Sequence, residues 1–212
     1  MKEKSERIRY EKSIYRALLV TAVPLMLSNF IIALLDIVDT FFVGQIENSS
    51  AAQAGMGAAW PVINIMLAFN NGLAAAGTAV ISRMTGEEDY DGAGKQAGQL
   101  LSTAIIVGTV INAVLFFAAS AVMDFMGADG DVRSEASVYL RISSFEMVPL
   151  FAFTAFTSIR QSEGDMLQPV ILSMAAAVVN IVLVAVFIRG FGLGINGAAA
   201  ASVAGQLSII PF

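Results

Sequence analysis

The chain has no cysteine and no histidine among its 212 residues. The first absence removes disulfides, thiol nucleophiles and thiolate metal sites; the second removes imidazole acid/base chemistry and the usual zinc and haem ligands. Charge is also scarce, at 14% of residues, where a soluble domain carries about 25%. No signal peptide is expected either. The opening MKEKSERIRYEKSIYR is too long and too charged for one, and no A-x-A-like cleavage site follows the next apolar run.

What remains is apolar. Hydrophobic residues make up 57% of the chain and the mean hydropathy is +0.74. Long apolar runs recur from end to end, the mark of a membrane protein. The net charge of −5 says less than where the charges sit, and no nucleic-acid partner is expected.

The runs predict an all-α, six-span transmembrane bundle over residues 17–212, preceded by a basic tail over residues 1–16. The spans are Ala17–Val43, Gly55–Ile81, Gly98–Met123, Val138–Ile159, Pro169–Ile188, and a sixth from Asn196 to the end. About 20 residues cross the hydrocarbon layer. Span one exceeds this, so it should tilt or bend, with Pro24 as its hinge. Span six stops at Phe212 with Pro211 inside it and no polar flank, so a truncated helix is expected, in a protein that continues for six more spans.

Lysine and arginine placement sets orientation. With the tail cytoplasmic, Lys2, Lys4, Arg7, Arg9, Lys12, Arg16, Arg83, Lys95 and Arg160 lie inside, and only Arg133, Arg141 and Arg189 lie outside. Nine against three favours a multi-pass protein of the cell membrane with its N-terminus in the cytoplasm.

Alternating spans convert sequence position into depth. Asp36, Asp39, Asn64, Asn112, Glu146, Asn180 and Ser202 all fall roughly 6 to 17 Å below the outer surface at about 1.5 Å per residue. Such a layer suggests a cavity open to the outside, lined by Glu146, Asn64 and Asn112 beside the α-helical stripe of Asn29, Asp36 and Thr40, with Asp39 alongside it. A carboxylate facing lipid costs at least about 2.5–3.5 kcal/mol. The acids should therefore face the interior, carry a proton or hold a cation. Packing alternatives stay open: Asn64, Asn112 and Asn180 also suit interhelical hydrogen bonds, and Ser202 lies in the small-residue run GAAAASVAG, which suits close helix contact.

Four stretches in order carry a family resemblance: VPLMLSNFIIALLDIVDTFFVGQI, GLAAAGTAVISRMTGEEDYDGAGKQAGQ, IRQSEGDMLQPV and VNIVLVAVFIRGFGLGINGAAAAS. Together they resemble the N-terminal half of the MATE (multidrug and toxic compound extrusion) transporters. The resemblance implies one six-helix lobe of a twelve-helix antiporter, with the second lobe missing from this chain. It implies export of small organic cations across the bilayer in exchange for Na+ or H+, with no other cofactor. It also implies that Asp39 carries ion coupling and that Asn180 belongs to the same site, where Na+ would be held by both. Ser202 stands near a hydroxyl position of that site. The chain departs at Val184, where the family has a second aspartate; Asp36 or Glu146 is expected to supply the missing charge.

Two other classes compete. A flippase of lipid-linked oligosaccharides from the same superfamily would carry basic residues in its cavity for phosphates, and the acidic layer here favours cations instead. An intramembrane aspartyl protease would draw its two acids from two helices. Here Asp36 and Asp39 share one helix, and Asp131 and Asp165 fall in loops, so no enzyme is expected.

Overall fold

The computed structural model describes residues 14–45 and 49–209. Seven α-helices follow one another, with no strand among the described residues: α1 (Ile14–Val43), α2 (Ser49–Gly86), α3 (Tyr90–Phe125), α4 (Gly130–Ser144), α5 (Met147–Ser162), α6 (Leu167–Ala185) and α7 (Gly194–Leu207). A π-helical turn, Val186–Gly190, extends α6. Among the described residues, three helices (α2, α3, and α6 with its π turn) are long and apolar enough to cross a membrane, and α4 with α5 forms one further candidate crossing as a bent pair. The 30 residues of α1 span about 45 Å.

α2 and α3 overrun the expected spans at both ends, because their ends are set by caps as well as by hydropathy. At the start of α3, the Asp89 side chain accepts a hydrogen bond from the Gly92 amide at 2.9 Å, tying up an amide that the helix cannot satisfy. Helical backbone therefore continues past the apolar segment into the polar loop.

The fourth expected span, Val138–Ile159, is not one helix. It breaks at Phe145 and Glu146, and α4 and α5 meet at a 46° bend. Pro149 supplies the cause. It has no N–H for the Phe145 carbonyl, and its ring crowds that carbonyl four residues back. The freed turn closes instead with Phe145 N–H on Ile142 O at 3.1 Å and Glu146 N–H on Ser143 O at 3.0 Å. Pro149→Ala should restore the missing bond and straighten the pair. Spin labels at Val138 and Phe153 should then move apart; an unchanged distance would show that packing, not the proline, sets the bend.

The bundle has two apolar cores. One joins α2, α3, α4 and α5 through Ala59, Leu100, Ala104, Leu115, Ala119, Met123, Ala136, Leu140, Met147, Phe151 and Ala155. The other joins α1, α6 and α7 through Val43, Val184, Ile188, Ile195, Ala198 and Ala201. Alanine recurs in both because lipid removes the hydrophobic drive between helices and leaves close van der Waals packing to hold them. Many large apolar side chains outside these cores point outward. Phe117 is 83% exposed and Phe125 92%, a pattern suited to a bilayer and untenable in water.

Ion pairs and hydrogen bonds close the loop ends. Arg133 pairs with Asp124 across the α3–α4 turn. Arg189 donates to Gln45 and lies 5.2 Å from the Phe42 ring centroid, joining the ends of α1 and α6. At the opposite end, Arg160 bridges Glu163 at 2.7 Å and Asp165 at 2.8 Å. Gly164 sits there at φ +80°, a left-handed turn that favours glycine. The Arg…Gly-Asp…Pro stretch is thus a charged clasp at the start of α6, with Pro169 in its first turn.

Candidate functional site

Three helices position the candidate site. α1 packs along α6, and α7 folds back against α6. The return is antiparallel and close. A Cβ on Gly197 would stand 3.1 Å from Phe187 Cβ, and one on Gly205 would stand 3.1 Å from Asn180 Cβ and 3.3 Å from Ala176 O. The small-residue run of α7 is therefore a packing face, with Ala198, Ala199, Ala201 and Gly205 buried.

That approach brings Asn180 to Ser202. Asn180 is 6% exposed, and its Nδ2 donates to Ser202 Oγ at 3.2 Å. Its Oδ1 is buried and has no hydrogen-bond partner among the described residues. A buried amide oxygen left unpaired costs about 1–3 kcal/mol. An oxygen held this way is poised for a proton donor or a hard cation, and its own helix pair supplies neither. Gln206 Oε1, one turn beyond Ser202, is likewise buried and unpartnered among the described residues. Gln206 was not singled out from sequence, although it directly follows that small-residue run.

Asp36 and Asp39 lie on α1, two turns and one turn before Val43. Their side chains, like that of Pro24, lie outside the described residues, and the helix continues through all three positions. Val184, where the resemblance implies an aspartate, is fully buried in the apolar contact with Val43, Ile188 and Ala201.

The other candidate residues lie in the segment from α2 to α5. Asn112 Oδ1 accepts from Ser144 Oγ at 2.9 Å, an interhelical bond between α3 and α4. Asn64 is exposed and donates to Trp60 O of its own helix at 3.0 Å. Glu146 is half-buried at the α4–α5 break, so the bend presents it at an interrupted backbone. A buried pair missed from sequence lies among the same helices: Asn70 Nδ2 donates to Thr154 Oγ1 at 2.9 Å between α2 and α5. Among the described residues, no three acidic side chains gather as a metal site.

The MatE family model matches residues 24–186, most of the chain. This chain belongs to the MatE family. Its curated relatives include the multidrug export protein MepA of Staphylococcus saprophyticus, 24% identical over 92% of this chain and 44% of that protein. The probable multidrug resistance protein YoeA of Bacillus subtilis is 26% identical over 90% of this chain and 42% of its own. The chain thus spans less than half the length of these two relatives. Among solved structures, a MATE transporter in the bent conformation matches with a TM-score of 0.87 over 98% of this chain and 45% of its own, at 24% identity. A MOP superfamily transporter from Pyrococcus furiosus, whose binding pocket of reverse polarity suggests a different function, matches with a TM-score of 0.85 over 91% of this chain and 42% of that one, also at 24%. The fold of this MatE chain is therefore one six-helix lobe of a MATE-type transporter, a multi-pass membrane protein.

Proposed function

We propose that this chain forms the N-terminal lobe of a cation-coupled antiporter that exports organic cations or drugs across the cell membrane, with its N-terminus in the cytoplasm. The second lobe is its expected partner, and Na+ or H+ is the coupling ion. The observation that carries the reading is the Asn180–Ser202 contact between α6 and α7, with an unpartnered carbonyl oxygen on a helix that α1 packs against. Asp39 is the proposed charge of that site, with Asp36 its neighbour at i−3. A carboxylate in a medium of low dielectric is costly to keep ionised without a cation. The site therefore takes up either an ion or a proton, and each favours a different helix arrangement. The multidrug export names of the relatives support a drug-like cargo.

Fold alone does not choose the cargo, so charge must. Glu146 at the helix break is the proposed contact for a cationic substrate, with Asn64 and Asn112 in the same layer. Against a flippase, the outer arginines are engaged elsewhere: Arg141 donates to Ser120 at 2.8 Å and Arg189 holds Gln45. Both contacts are made within the lobe. The reading is of a transporter and not an enzyme.

Proteoliposomes with an imposed sodium or proton gradient test this. A fluorescent organic cation should move against its gradient only when one of the ion gradients is present. Movement of a lipid-linked oligosaccharide, with no movement of the cation, would favour the flippase.

A further inference from the structure

Residue 184 cannot take part in ion binding here. Val184 is sealed with Val43, Ile188, Ile195, Ala198 and Ala201 in a dry apolar contact. The polar atoms begin one turn further in. Asn180 lies four residues before Val184 on α6, and Ser202 meets it from α7. Gly205 brings the α7 backbone against Asn180 and Ala176. Gln206 follows Gly205 directly, so it stands at the level between Asn180 and Ala176. On α1, Val43 shares the apolar contact with Val184, and the ends of the two helices are joined by Arg189 and Gln45. Counting back from Val43, position 39 is level with Asn180 and position 36 is one turn deeper, level with Gln206.

Two buried amide oxygens, Asn180 Oδ1 and Gln206 Oε1, thus have no hydrogen-bond partner among the described residues, and their residues stand about one turn apart in level. A hydroxyl oxygen, Ser202 Oγ, lies between them in sequence. Carbonyl and hydroxyl oxygens are ligands for hard cations, and the coupling-ion sites of transporters lie near the membrane middle. We infer that Gln206 is a further ligand of the coupling cation, and that the site has moved one helical turn inward of residue 184, with oxygens from Asn180, Ser202 and Gln206 facing the acid-bearing helix α1. This deepens the proposed function and rests on it. Gln206 compensates for the lost aspartate with a neutral oxygen, while the formal charge stays on α1.

The test is sodium-dependent stability of the purified chain in lipid nanodiscs. Unfolding is followed by the fluorescence of Trp60, the single tryptophan. Sodium is varied against choline at constant ionic strength. A ligand that binds only the folded state raises stability with its concentration. Asn180→Leu should abolish the sodium response. Gln206→Leu should raise the sodium concentration for half-maximal stabilisation on the order of tenfold, the size of losing one supporting contact at an ion site. Gln206→Glu should lower that concentration at alkaline pH, because it adds charge at the same place. If Gln206→Leu, or Gln206→Glu should the leucine variant not fold, titrates like the wild type while Asn180→Leu loses the response, the site stands and Gln206 is no part of it. A wild type blind to sodium overturns the inference together with sodium coupling. It leaves cation export to be judged by the vesicle assay alone.

Discussion

Asp39→Asn is expected to abolish ion-driven efflux of an organic cation from energised proteoliposomes, by about two orders of magnitude, the scale on which removal of a proton-transferring group acts. Asparagine keeps the size and hydrogen-bonding shape of the side chain and removes only its charge and titration. The protein should therefore still insert and fold. Asp39 lies one turn before Val43, whose burial against Val184 and Ala201 holds this part of α1 to the bundle. A change there should alter coupling and leave packing intact. Efflux is measured over a pH series and folded yield in parallel. Wild-type efflux in the variant would make Asp39 a bystander and shift attention to Glu146, the described acid of the proposed layer.

The second large effect concerns packing. Gly108 lets α3 cross the start of α5 in direct contact. A Cβ there would stand 3.0 Å from Met147 O, 3.1 Å from Val148 Cα and 3.3 Å from Phe151 Cβ. Two of those atoms are backbone and cannot rotate away. Gly108→Val should destabilise the lobe by at least about 1–3 kcal/mol, the usual cost of overpacking, and should lower both melting temperature and folded yield. Gly72→Ala is the control. Nothing lies within 4 Å of its Cβ, and exchanging glycine for alanine inside a helix should gain up to about 1 kcal/mol. Equal melting temperatures for the two variants would show that the α3–α5 crossing is looser than described.

The same distinction explains what was legible before the structure. Helix order and the membrane setting follow from properties that are local along the chain. Apolar runs longer than about 20 residues have few other uses, and GAAAASVAG announced a close helix contact that Gly205 and Ala201 make. The stretch IRQSEGDMLQPV was recognisable as a signature, and the clasp of Arg160 with Glu163 and Asp165 shows what its charged residues do. The break in the fourth span was also legible in principle, since Pro149 must deprive the Phe145 carbonyl of its partner. Its neighbours are apolar enough that hydropathy ran straight across it.

By itself, then, the sequence determined that this protein is a multi-pass helical bundle, where its apolar spans run, the break in the fourth apart, and which polar groups interrupt them. Only the tertiary structure decided which of those groups meet. Asn180 and Asn112 look alike in sequence, each a lone amide in an apolar helix. One pairs with Ser202 and keeps a spare buried oxygen; the other accepts from Ser144 in the opposite core. Depth can be counted along a chain, because each helical residue adds a fixed rise. The partner across a helix interface cannot, because it depends on which helices the small residues allow into contact. That is why Gln206 came into view only when Gly205 had brought α7 against Asn180.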